Sequence, residues 1–269
     1  MINYRKEAIV TFSFDDGRID NYKVVKEILL PNNIPATINI ATGYIDGSLK
    51  MLGGGYNPKP MTIEQIRELY STGIIEIAGH GDLHKNEWDD IKLGREKLLA
   101  WLQLPFDSKI GFASPGSGMT PKFIRENQRI LENLGFSYAR TGPEIRTKHM
   151  MRLYARKAAR VLHWSKLYKA AYKDSLQSTV IKEPVLSIPI LKDTSLAEIK
   201  ELIHFSEKRE LLCTLMFHSI IDEQKNKNGD TWCYDYRKFE ELVSWLKEER
   251  EKNKLKILTT ADALDNVEF

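Results

Sequence analysis

Cysteine is nearly absent. Cys213 and Cys233 are the only two in 269 residues, too few for a disulfide framework and without C-x-x-C spacing, so two reduced thiols in a reducing compartment are expected. No run of about 18 consecutive apolar residues occurs, which excludes a hydrophobic membrane-spanning helix. The opening segment MINYRKEAIV has neither the apolar stretch nor the small-residue cleavage site of a secretory signal, so the expected location is cytoplasmic. Glycine and proline are sparse, at 16 and 10, and no repeat, low-complexity tract or Pro/Gly/Ser linker divides the chain, so 1–269 reads as a single domain. With 42% hydrophobic and 29% charged residues it should bury a sizeable core.

Charge of one sign is also scarce. The net charge of +3 argues against a whole-protein role on nucleic acid or a membrane surface. Its distribution is uneven, because 140–183 holds 11 Lys/Arg against 3 Asp/Glu, a balance of +8 that leaves −5 for the remainder. An anionic partner should meet this segment.

What is present is a repeating order of short apolar run, turn and amphipathic stretch, the pattern of βα units. Strands are predicted at Ala8–Phe14, Ala36–Ile40, Ile74–Ala78, Ile110–Ser114, Phe136–Arg140, Val185–Ile190, Leu211–Phe217 and Lys256–Leu258. Helices are predicted near Tyr22–Leu30, Thr62–Ser71, Ile91–Leu102, Pro121–Leu134, Leu196–Lys208 and Phe239–Lys252. Thr62 with Gln65, and Thr120 before Pro121, read as helix starts. The basic segment at about 142–184 interrupts the repeat like an insertion, and it reads either as one basic helix or, by preference, as a strand ending near His163 followed by a helix. A parallel sheet must be covered on both faces and its connections here are helical, so a closed or nearly closed α/β barrel is the economical architecture.

The chemistry gathers at strand ends. IVTFSFDDG drives an apolar strand into Asp15 and Asp16, which belong at its carboxyl end because two adjacent carboxylates cannot be buried unpaired; the competing reading is a plain Asp-Asp-Gly turn. IEIAGHGDLHKN places His80 and His84 after another apolar run. If that loop makes one helical turn, both imidazoles can reach one metal ion, and two His with one Asp form a site open to water and substrate. IGFASPGSG ends a strand in a small-residue loop containing Pro115 and Gly116, and LLCTLMFHSI ends one at His218, whose imidazole suits a general acid. His204 and His149 have no evident partners. His163, next to Trp164, lines a pocket only if the strand reading of that stretch holds.

Taken together, these junctions resemble the polysaccharide deacetylases of carbohydrate esterase family four, which share the NodB homology domain. TFSFDDG looks like the first motif of that family, HGDLH like the second and LMFHS like the last, in the same order from Ile9 to about Leu264. The resemblance implies a distorted (β/α) barrel of seven or eight strands. It also implies Asp15 as catalytic base, Asp16, His80 and His84 as ligands of one divalent metal ion, zinc or another, His218 as general acid, and no organic cofactor. Aligned on Pro115, the third motif departs from the family: Ala113 occupies the slot of an Arg that contacts the base, and Gly116 that of an aromatic residue. The Gly116 N–H remains available to an oxyanion, and a substitute cation from the 140–160 stretch is expected beside Asp15. For the fourth motif, with its pocket-lining Trp, Trp164 and Asp174 are positional guesses.

The implied activity is hydrolysis of an N-acetyl, or less readily an O-acetyl, group on a sugar. The implied substrates are an acetylated sugar, a sugar nucleotide or a glycan precursor met inside the cell, with the basic segment facing a phosphate. Two other readings use the same residues: a glycan-binding barrel that has lost catalysis, and a metal-dependent hydrolase of a non-sugar amide.

Overall fold

The computed structural model describes residues 7–51, 59–143, 154, 158, 161–162, 164–178, 184–226 and 229–265. Seven parallel strands close a barrel: β1 (Ala8–Phe14), β2 (Ala36–Ile40), β3 (Ile75–Gly79), β4 (Ile110–Ala113), β5 (Phe136–Thr141), β7 (Val185–Pro189) and β8 (Leu211–Phe217). The seam joins β1 to β8 in continuous register from Ile9↔Leu212 to Phe14↔Phe217. An eighth parallel strand, β11 (Leu255–Leu258), pairs with β1 over Ala8–Thr11. Higher up, Ser13 and Phe14 pair with β2 instead. The first strand therefore changes neighbours halfway, which accounts for an expectation of seven or eight. The two-residue β6 (Gln177–Ser178) adds antiparallel to β8, and β9 (Ser219–Ile221) pairs with β10 (Cys233–Asp235) outside the barrel.

Period-two alternation sorts each strand into a lumen face and a helix face. Ala8, Val10, Phe12 and Phe14 of β1 join the main core beneath the helices. Phe12 and Phe14 pack against Phe217 and Phe239, which ties the seam to the helix Tyr236–Glu251. The opposite face of β1 carries Ile9, Thr11 and Ser13 and then Asp15. Ile9 packs with Tyr138, Val185, Leu212 and Ala263 to plug the lower end. Above that plug the lumen is polar, with Thr11 donating to Thr214 Oγ1 at 2.9 Å and Asn39 to Ser13 Oγ at 2.9 Å.

Helix starts follow local chemistry. Thr62 with Gln65 and Ser195 with Glu198 form reciprocal capping boxes, and Thr120 caps a helix whose first residue is Pro121. The stretch expected as one helix over Pro121–Leu134 is two, Pro121–Glu126 and Gln128–Asn133, divided where Asn127 leaves helical geometry (φ −113°, ψ 17°).

The preferred reading of the basic segment needs correction. Tyr154, Ala158, Val161 and Leu162 are helical rather than part of a strand ending near His163. Trp164 leaves the helical region (φ −95°, ψ 102°) and caps a second helix, Ser165–Tyr172. The apolar residues here recur at helical intervals, and Lys, Arg and Ala favour helix, while over so short a run the strand and helix patterns coincide. His163 and His149 lie outside the described residues. Both cysteines are free and buried.

Candidate active site

Asp15, Asp16, His80 and His218 follow directly on the ends of β1, β3 and β8, and His84 stands four residues beyond, so the parallel barrel delivers them to one rim. Asp16 and Gly17 both adopt left-handed backbone (φ 77° and 74°). This tight reversal turns two consecutive carboxylates in different directions. Gly17 is required, because a Cβ there would lie 2.9 Å from Ile40 Cδ1 on top of the positive φ.

Asp15 points into the lumen. Arg140 Nη2 donates to both its carboxylate oxygens, at 2.7 and 2.8 Å, and Asn39 Nδ2 donates to Oδ1 at 2.8 Å. Ser187 Oγ accepts from Arg140 Nη1 at 2.9 Å. Burial alone would push the Asp15 carboxyl up, but Arg140, helped by His80, more than reverses this and holds its pKa below the ordinary value. Arg140 is the cation expected from the 140–160 stretch, and it lies directly opposite Ala113 in the β4–β5 register.

Asp16 faces the histidines. Arg18 fixes one oxygen, Oδ2, through Nε at 3.0 Å and Nη2 at 2.8 Å, and its Nη1 donates to Ser219 Oγ. The other oxygen, Oδ1, lies 3.7 Å from His80 Nε2 and 3.5 Å from His84 Nε2. Burial raises the Asp16 pKa, yet His218, Arg18 and His80 bring it far below the usual range. His80 Nδ1 bonds the Ala113 carbonyl at 2.8 Å, which assigns the proton to Nδ1 and leaves Nε2 as the free lone pair. Burial lowers the His80 pKa to about 4, so the ring is neutral at pH 7.

The histidine loop is not the single helical turn expected from the spacing. Residues 80–87 form a bend with Gly81 (φ 75°) and His84 (φ 57°) both left-handed. Asp90, at the start of the next helix, gathers this loop by accepting from the backbone N–H groups of Asp82, Leu83 and Lys85 at 2.8–3.0 Å. A Cβ on Gly81 would sit 2.6 Å from Asp90 Oδ2. The two rings thus meet at 4.8 Å through a capping carboxylate, which a four-residue spacing does not disclose.

Asp16, His80 and His84 each offer a ligand atom within 4.8 Å of the others. Asp16 Oδ1 and His80 Nε2 are buried without a hydrogen-bond partner among the described residues. Two imidazole nitrogens and a carboxylate oxygen, two of these three atoms buried without a partner, fit a divalent ion of the zinc type with open positions.

His218 completes the rim. Burial holds its pKa below the ordinary imidazole value, and its Nδ1 has no partner among the described residues. Its ring lies 4.5 Å from that of Trp232. Trp232, 42% exposed, is the tryptophan beside the candidate acid. Trp164, guessed for that kind of place, is 56% exposed at a helix start and enters none of the site's hydrogen bonds or ring contacts. The motif order alone could not reveal Trp232, because it arrives on the β9–β10 excursion. Pro115 and Gly116 form a tight turn after β4, held by Asn86 Nδ2 on the Pro115 carbonyl at 2.9 Å. Gly116 is exposed, with open space where a side chain would stand.

No protein-family model matches this sequence, and no curated protein matches it. Solved structures do. The deacetylase domain of BpsB from Bordetella bronchiseptica is 18% identical over 50% of this chain and 64% of that one, with a TM-score of 0.39. The chain thus spans less than two thirds of that domain. The catalytic domain of peptidoglycan N-acetylglucosamine deacetylase from Eubacterium rectale is 16% identical over 96% of this chain and 91% of that one, at a TM-score of 0.48. A proposed cellobiose-phosphate cleavage protein from Enterococcus faecalis is 11% identical over 96% of this chain and 99% of that one, and reaches a TM-score of 0.56.

The fold is a closed (β/α) barrel of parallel strands. At these identities the likeness is one of fold. No helix among the described residues is long and apolar enough to cross a membrane.

Proposed function

We propose that the chain is a metal-dependent hydrolase that removes an acetyl group, chiefly N-acetyl, from a sugar or glycan precursor. One observation carries this reading: an ionised carboxylate, Asp15, tethered by a buried arginine, stands beside a cluster of three converging ligand atoms, two of them buried without a partner among the described residues. A pure binding site needs neither feature. The reading as a barrel without catalysis draws on the missing Arg and aromatic residue of the third motif, and Arg140 supplies the first of these.

Asp16, His80 and His84 would hold a divalent ion, which when bound would supply Lewis acidity toward the acetyl carbonyl and the attacking water. Asp15, kept ionised by Arg140, takes the water proton. The exposed Gly116 N–H donates to the developing oxyanion. His218, with Trp232 packed against it, protonates the leaving nitrogen as the C–N bond breaks. Arg18 keeps Asp16 turned toward the histidines throughout.

The test is acetate release from a panel of N-acetylated and O-acetylated sugars, sugar nucleotides and small non-sugar amides, with chelated protein as control. Metal-dependent acetate from at least one sugar supports the proposal. Turnover confined to non-sugar amides would assign the same site to a different substrate class, and no turnover of the whole panel by metal-loaded protein would count against hydrolysis.

A further inference from the structure

Ten large apolar side chains are exposed among the described residues, and four of them cluster in sequence between 154 and 164. These are Tyr154 at 62% exposure, Val161 at 77%, Leu162 at 63% and Trp164 at 56%. The same part of the chain carries the charge: 140–183 holds 11 Lys/Arg against 3 Asp/Glu. Arg140 is committed to Asp15 inside the barrel and Lys169 pairs with Glu201, which still leaves the stretch strongly basic.

A solvated basic face would account for the lysines and arginines but not for Val161, Leu162 and Trp164 standing in water. An apolar contact with another protein would account for these three but not for the charge around them. An anionic bilayer satisfies both: its headgroups attract Lys and Arg, while Trp, Leu and Val enter the boundary between headgroups and acyl chains.

The patch has a firm base. In the helix Ser165–Tyr172, Tyr168, Ala171 and Tyr172 are buried and the helix packs on Leu196–Glu207, while Lys166 and Lys173 remain exposed. The segment also leaves the barrel from the carboxyl end of β5, the end of the barrel that carries the candidate site.

We propose that the surface formed by Val161, Leu162 and Trp164 with Lys166 and Lys173 docks the protein onto an anionic lipid surface by shallow insertion. This does not rest on the hydrolase reading, and its test involves no turnover. The whole chain is sedimented with vesicles of phosphatidylcholine alone and of phosphatidylcholine mixed with phosphatidylglycerol in equal parts. The protein should pellet with the anionic vesicles only, and raised salt should release it, because the screening length shortens.

The variant Val161→Ser/Leu162→Ser/Trp164→Ser should lower partitioning by about tenfold or more. Lys166→Glu/Lys173→Glu keeps the apolar residues and should lower it by about tenfold or more as well. All five side chains are exposed, so both variants should unfold at the wild-type temperature; if the serine variant misfolds, the charge variant decides. Absence of binding to anionic vesicles, equal binding to neutral ones, or unchanged binding by the folded variants would overturn the proposal. So would self-association of the wild type through the same residues in the absence of lipid.

Discussion

Arg140 Nη2 lies 2.7 and 2.8 Å from the two carboxylate oxygens of Asp15, across 125 residues of sequence and with both side chains buried. Its neighbour in register on β4 is Ala113, the slot in which the resembled family carries its arginine. The cation has moved one strand along the barrel at the same height, and the small side chain of Ala113 stands opposite it.

Arg140→Met should therefore cost about 3–5 kcal/mol of stability by leaving Asp15 buried and unpaired. It should also raise the acidic limb of the pH–rate profile, because the Asp15 pKa is no longer held down. Adding Ala113→Arg to Arg140→Ala should restore part of both. A pH profile identical to wild type in Arg140→Met would dissociate the arginine from the proposed base.

Metal content is the direct check on the three ligands. Purified protein should take up one equivalent of zinc, and His80→Ala or His84→Ala should lose most of it. Uptake should weaken as pH falls toward the range in which the imidazoles protonate. Undiminished zinc in both variants would remove the site.

His218→Ala should keep the metal and lose roughly 10²–10⁴-fold in rate, the scale of a positioned general acid. An acid must carry its proton, and burial holds His218 below the ordinary 6.5. The rate should thus fall as pH rises through a value under 6.5, and this limb should vanish in the variant. Loss of metal instead would make His218 a ligand.

Asp20 offers a stability test outside the chemistry. Burial, opposed by Arg18, pushes its pKa up from 3.8 to about 6. A carboxyl with a raised folded-state pKa contributes fully below 3.8 and becomes a cost as pH rises through 6. Asp20→Asn should be more stable than wild type by roughly 1–3 kcal/mol at pH 8 and nearly equal to it at pH 4. Denaturant midpoints at the two pH values decide it.

Much of this was legible in the sequence because strands announce themselves by apolar runs and the reactive residues stand at their ends. Asp15 and Asp16 follow seven buried residues of β1, and that contrast is what a catalytic strand end looks like in one dimension. The alternation Ile9, Thr11, Ser13, Asp15 also foretells a polar lumen, and a buried cation near Asp15 was expected from the 140–160 stretch. Three things were not legible. The convergence of His80 and His84 depends on Asp90 and two left-handed residues rather than on helical spacing. Trp232 reaches His218 from a separate two-stranded ribbon. The helical state of Tyr154, Ala158, Val161 and Leu162 was obscured because β and α patterns coincide over so short an apolar run.

In the proposed mechanism Asp15 activates water beside a metal that Asp16, His80 and His84 would hold. Acetate release and zinc content should be measured together on wild type and Asp15→Asn, using whichever acetylated sugar the wild type turns over. The variant should fold and hold full zinc occupancy with nearly complete loss of acetate release. Normal turnover by zinc-loaded Asp15→Asn would contradict it.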